Sequence, residues 1–188
     1  LPNLKAGSIP DVSLYDRIYG HNSWAFSTIY SVSIGQGEVE VVPLQMANLA
    51  ATIANRGYYN DPHLIKSMHG TFDTTLHVNK HSTHIDAQYY EPIIEAMNWV
   101  VEKPGGTARR AKIEGIEVCG KTGTAENPHG EDHSVFIAFA PKENPKIAIA
   151  VYVENAGFGG TWAAPIASLL MEKYIKGSIA DTLKEQRI

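Results

Sequence analysis

The hydrophobic positions change period along the chain. From Pro43, apolar residues recur at helical spacing (Leu44, Ala47, Ala51, Ala54) as far as Gly57. Pro43 suits a first helical turn, so a helix is predicted there. A second helix is predicted through Ile93, Met97, Val100 and Val101, at i, i+4, i+7 and i+8. Asp86 is a candidate cap near its start, and Pro104-Gly105-Gly106 its stop. Beyond this point the period shortens. Residues 116–125 suit a strand, and the runs 134–140 (SVFIAFA) and 147–153 (IAIAVYV) are rich in β-formers, with turn residues at 141–145 between them. That pattern predicts an antiparallel hairpin. A last helix is predicted over 162–174, with Ile166, Leu169, Leu170 and Tyr174 along one broad side. Strands followed by a packing helix imply an α+β fold, an antiparallel sheet packed against helices.

The remaining stretches carry weaker patterns. Residues 1–30 hold the turn signals Pro2, Gly7, Pro10, Gly20 and Asn22 between short apolar pieces. They read as surface-wrapping loop and short helix, not as an independent domain. Residues 58–84 read as a hairpin or loop excursion. Residues 1–188 are therefore expected to belong to one domain.

Composition narrows the function classes. The chain has 188 residues, 44% hydrophobic and 19% charged, an ordinary globular balance. A net charge of −4 gives no field for gathering phosphates, so no nucleic acid partner is expected. No apolar run approaches the roughly 20 residues of a membrane helix. The start, Leu1-Pro2-Asn3-Leu4, lacks a signal-peptide pattern. Cys119 is the one cysteine, so an intrachain disulfide is impossible. It lies two residues before Lys121, on the same side of the predicted strand, and reads as a small buried residue.

The residues that carry chemistry are Gly120-Lys121-Thr122-Gly123-Thr124-Ala125, at the end of that strand. Lys121 offers a compact cation with three donors, and Thr122 and Thr124 add hydroxyls. Strand geometry sends Lys121 and Gly123 to one face and Thr122 and Thr124 to the other. Gly123 lets an extended substrate lie close to the backbone, and a strand edge can hold such a substrate by strand addition. A backbone N–H here can also serve an oxyanion.

Lys-Thr-Gly is the third signature of penicillin-recognising serine enzymes. Further blocks accompany it in order: Ile34-Gly35-Gln36-Gly37, Pro43-Leu44-Gln45-Met46-Ala47, Ala54-Asn55-Arg56-Gly57, Gly106-Thr107-Ala108 and Phe136-Ile137-Ala138-Phe139-Ala140-Pro141. With them the chain resembles, over nearly its whole length, the transpeptidase domain of class B penicillin-binding proteins, most of all the elongation-type penicillin-binding protein 2 subgroup. The resemblance implies the carboxyl-terminal part of a penicillin-binding-protein transpeptidase (serine β-lactamase-like) fold. It implies that Lys121, Thr122 and Thr124 bind the carboxylate of a β-lactam or of a D-Ala-D-Ala stem peptide. Gly123 would permit close approach, and the Thr124 backbone N–H would form half of an oxyanion hole. The whole enzyme would cross-link peptidoglycan on the periplasmic side of the bacterial inner membrane, held by an anchor outside this chain, alongside cell-wall elongation proteins. No cofactor or metal is implied.

The chain also departs from the family. No serine has Lys three residues later, and none has Asn or Asp two residues later. The Ser-x-x-Lys nucleophile and the Ser-x-Asn loop are expected upstream, so the chain by itself should bind and not react. Val42 stands where the family often has Thr, at the cost of a helix cap. A sheet left partly uncovered should self-associate, through the Lys121 strand. Two other readings stay open: a penicillin sensor or serine β-lactamase relative, and a non-catalytic peptide-binding module.

Several attractive patterns are discounted. His129-Gly130-Glu131-Asp132-His133 imitates a zinc motif, but Pro128 and Gly130 make it a turn, not the helix such ligands need. Tyr58-Tyr59-Asn60 imitates a variant second signature and reads as turn. Gly35-Gln36-Gly37 is too short for a phosphate loop. Trp162 and Met171 read as core or rim of the last helix.

Overall fold

The computed structural model describes residues 6–64, 79–180, 182–186 and 188. By internal contact the chain divides into two compact units, residues 2–42 and a larger one from Pro43 to Ile188.

The smaller unit holds two short helices, α1 (Val12–Tyr19) and α2 (Phe26–Ser33). Asp11 caps α1 by accepting from the Leu14 N–H at 2.8 Å. Asp16 then gathers the following turn, accepting from Trp24 Nε1 and contacting His21 Nδ1, each at 2.9 Å. The Trp24 bond, followed by the His21 bond, holds the Asp16 carboxyl below its usual range. Glu38 accepts from the hydroxyls of Tyr15 and Tyr19, and Ser8 bridges Glu40 through paired backbone bonds of 2.8 Å.

In the larger unit, α3 (Pro43–Ala54) ends where Arg56 and Gly57 turn into positive φ (58° and 105°). Residues Tyr58–Asn60, expected to be a turn, form a strand, β1, paired antiparallel with β2 (Lys80–Ser82). The Tyr59 ring stacks on His81 and the Lys80 ammonium sits 3.8 Å from the Tyr58 ring centroid, which favours pairing over a free turn. The middle of this excursion, 65–78, lies outside the described residues.

Helix α4 (Glu91–Glu102) follows a 3₁₀ turn capped by Asp86, which accepts from the Gln88 N–H. Its buried face is Ile94, Met97, Asn98 and Val101, whereas Ile93 is 49% exposed. The predicted stripe was therefore turned, because the polar Asn98 belongs to the inner face. Its amide donates to the Val118 carbonyl at 3.3 Å, which makes the burial tolerable.

The main sheet is antiparallel, in the order β3 (Cys119–Ala125), β4 (His133–Ala140) and β5 (Ile147–Val153), with β3 at one edge. The predicted β4–β5 hairpin is present, Ser134 opposite Val153 and Ala140 opposite Ile147. Helices cover both faces. Cys119 and Phe139 join Ile94, Met97 and Ala54 from α4 and α3 on one side. Phe136, Ala138 and Ala140 join α5 (Ala163–Lys176) on the other. The inner face of α5 is built from Ala163, Ala164, Ala167, Ser168 and Met171, while Leu170 and Tyr174, expected inside, are 52% and 66% exposed. The alanines let the helix approach the sheet closely, and Leu169, on the predicted side, is buried with Met171.

Candidate functional site

Strand β3 sorts its own side chains. Paired with β4, Lys121 stands opposite Ile137, Thr122 opposite Phe136, Gly123 opposite Val135 and Thr124 opposite Ser134. Phe136 and Ser134 face α5, so Thr122 and Thr124 share that face, and Lys121 lies on the α3–α4 face with Cys119. Helix α4 covers only the Cys119 end. Cys119 is fully buried, while Lys121 is exposed and its Nζ donates to the Thr122 carbonyl at 2.6 Å. Burial pushes the Cys119 thiol up to about 12, against a smaller pull from Lys142. Such a thiol is inert at neutral pH.

Thr122 and Thr124 line a cavity of about 620 Å³. Two other segments complete it. One is the turn after α4: the Ala108 N–H donates to the Val100 carbonyl at 3.0 Å. A side chain at Gly106 would lie 2.3 Å from that carbonyl oxygen, so only glycine lets the turn fold back. The turn carries Thr107 to β3, where its hydroxyl lies 3.0 Å from the Thr122 hydroxyl, and brings Arg109 and Arg110 to the cavity wall.

The second segment, Phe158-Gly159-Gly160-Thr161, leads into α5. A Cβ on Gly159 would fall 2.2 Å from the Val135 carbonyl oxygen and 2.5 Å from that of Gly123. The close approach on the Thr122–Thr124 face at Gly123 is thus made by Gly159. Ser134, fully buried, fixes this segment by donating to the Phe158 carbonyl at 3.0 Å and accepting from the Ala163 N–H at 3.1 Å. Arg110 Nη1 donates to the Thr161 carbonyl at 3.3 Å.

The β3–β4 loop holding His129 is a turn, as the sequence implied, and His133 is the first residue of β4, opposite Ala125. The order of the loop comes from amides: Asn127 Nδ2 donates to Asn155 Oδ1 at 2.7 Å, and the backbone N–H groups of Ala156 and Gly157 reach the Asp132 carbonyl. His133 Nδ1 accepts from the Asn155 N–H at 3.1 Å, which requires the proton of the neutral ring on Nε2. Among the described residues no group of His, Cys, Asp and Glu is arranged to hold a metal ion, and no helix is long and apolar enough to cross a membrane.

Of the residues singled out from sequence, Thr122 and Thr124 line the cavity, Gly123 forms backbone beneath Gly159, and Lys121 projects from the opposite face. Sequence reasoning gave no role to Thr107, Arg110, Phe158, Gly159, Gly160 or Thr161. The Gly106-Thr107-Ala108 block and the adjacent glycines 159 and 160 were the signals available.

Comparison with known proteins shows the family and the fold. The family model described as penicillin binding protein transpeptidase domain matches residues 3–172. The chain is 34% identical over 191 residues to the peptidoglycan D,D-transpeptidase MrdA of Haemophilus influenzae, covering 90% of this chain and 29% of that protein. Among solved structures it resembles Pseudomonas aeruginosa PBP2 in complex with WCK 5153, at TM-score 0.76 and 29% identity over 94% of this chain and 39% of that one. It also resembles penicillin-binding protein A of Mycobacterium tuberculosis in a ceftriaxone acyl-enzyme complex, at TM-score 0.65 and 34% identity, covering 77% of this chain and 35% of that one. The chain spans less than a third of the MrdA relative's length. A sheet with helices on both faces, the Lys-Thr-Gly-Thr edge strand and these ordered matches lead to one conclusion: the chain belongs to the penicillin-binding protein transpeptidase domain family, of the PBP2 type.

Proposed function

We propose that this chain supplies the substrate-binding strand of a serine-type peptidoglycan D,D-transpeptidase that β-lactams acylate. The observation that carries the reading is the edge strand β3, whose Thr122 and Thr124 line a cavity closed by Thr107 and the Phe158–Thr161 segment. The threonine hydroxyls donate to the carboxylate of a D-Ala-D-Ala stem peptide or of a β-lactam, and the hydrogen bond between Thr107 and Thr122 orients one of them. Gly123, covered by Gly159 on the Thr122–Thr124 face, leaves the strand without a side chain on the Lys121 face, where an extended ligand can approach, and Lys121 adds positive charge there. The Thr124 backbone N–H is one oxyanion donor, a contribution of about 10²–10³ in rate for such a group.

The acyl group of the stem peptide passes to a serine and then to an amine of another strand. None of the serines in this sequence carries the Ser-x-x-Lys pattern, so the 188 residues alone bind without forming a covalent adduct. The reaction takes place on the periplasmic side of the bacterial inner membrane, in a protein held by an anchor and working with cell-wall elongation proteins.

The test is intact-mass analysis after incubation with a reactive penicillin. The complete protein should gain one stoichiometric adduct and the 188-residue chain none. In the complete protein Thr122→Val should slow acylation about tenfold or more, the loss expected for one charge-assisted hydrogen bond. A Thr122→Val protein acylated as fast as its parent would remove the cavity from the reaction.

A further inference from the structure

We propose that the cavity continues into a second anion-binding subsite, formed by Arg109 and Arg110, which takes a carboxylate on a side chain upstream of the D-Ala-D-Ala end of an extended peptide. This deepens the reading above and rests on it. The cavity beside Thr122 and Thr124 shares Arg109, Arg110 and Thr161 with a neighbouring cavity of about 390 Å³. The two therefore run together past the guanidinium groups. Among the described residues, neither cavity is lined by Asp or Glu.

Both arginines are exposed, and among the described residues neither is in an ion pair. The neighbouring Lys112 differs, being held by Glu102 at 2.7 Å. Two adjacent cations with no carboxylate partner among the described residues thus border both cavities. They are also held in place. The 3₁₀ turn that bears them is flanked by Ala108 and Ala111, both fully buried, and is closed by the Ala111 N–H bond to the Ala108 carbonyl at 2.8 Å. The bond from Arg110 to the Thr161 carbonyl leaves further guanidinium donors open to a ligand.

A guanidinium stays charged at every working pH and presents a planar fork that fits a carboxylate with two parallel bonds. The threonine hydroxyls are suited to one carboxylate at the end of the substrate. The arginine pair is suited to a second, which makes a diacidic peptide the preferred ligand of the joined cavities. Two fixed cations beside the cavity also raise the local concentration of such a peptide.

The experiment uses the complete protein with its serine and two donor peptides ending in D-Ala-D-Ala. One peptide has a free side-chain carboxylate on the residue before that pair, and the other has it amidated. In Arg109→Gln/Arg110→Gln the ratio of kcat/KM for the diacid to that for the amide should fall about tenfold, mostly through KM. Arg109→Lys/Arg110→Lys, which keeps the charge and loses the planar fork, should give a ratio between those of the parent and the glutamine variant. An unchanged ratio in the glutamine variant would overturn the second subsite. Thr122→Val separates the two readings: turnover of both peptides at the parental rate in that variant would mean that the first site itself was misassigned.

Discussion

Replacing Gly159 by alanine tests the central packing relation of the site. The added Cβ would meet the Val135 carbonyl oxygen at 2.2 Å and the Gly123 carbonyl oxygen at 2.5 Å, well inside the 3.0 Å that real Cβ atoms essentially never cross. Both opposing atoms are sheet backbone, so no side chain can swing away. The Phe158–Thr161 segment must lift instead, against the bonds from Ser134 and Ala164 that hold it. Overpacking of this kind costs about 1–3 kcal/mol, and the upper end applies because backbone opposes backbone. For a chain of this length the upper end is a fall of about 6–12 °C in Tm.

Two controls separate clash from other effects of losing a glycine. Gly157 has nothing within 4 Å but a φ of +70°, so its alanine variant should lose about 1 kcal/mol through backbone strain alone. A Cβ at Gly123 would be in ordinary contact with Val135 Cβ at 3.4 Å, and Gly123→Ala should stay within about 0.5 kcal/mol of the parent. Thermal unfolding followed by circular dichroism should rank the variants Gly159, then Gly157, then Gly123, from most to least destabilised. A Gly159→Ala chain that melts with its parent, or above Gly157→Ala, would refute the close packing of this segment on β3 and β4.

Cys119 should resist alkylation in the folded chain at mildly alkaline pH and react fully once denatured; rapid native-state labelling would contradict its burial. Because folding raises its pKa from 9.0 to about 12, the stability it contributes is complete below pH 9 and is lost as pH rises toward the folded value. The stability gap between the parent and Cys119→Ala should therefore narrow above pH 9. With β3 at the sheet edge and Ile93, Trp99, Phe158 and Leu170 among the exposed apolar residues, the 188-residue chain should self-associate; a strictly monomeric species by light scattering across the micromolar range would exclude it.

Local pattern determined much of this protein. The helix from Pro43, the β4–β5 hairpin and the Lys-Thr-Gly-Thr strand follow from spacing, turn residues and β-forming runs, because each is decided by neighbours in the sequence. The opposite faces of Lys121 and Thr122 follow in the same way from the period of a strand. Tertiary packing decided the rest. Which face of α4 is buried depended on a carbonyl of Val118, 20 residues away from Asn98, that accepts its amide. Three alanines with Leu169 and Met171, rather than Leu170 and Tyr174, point inward from α5 because the face that meets the sheet is set by packing that the helix sequence does not record. The cavity was the least legible part. Thr107, Thr122 and Gly159 are remote in sequence, and they meet because glycines at 106 and 159 permit backbone contacts that no periodicity records.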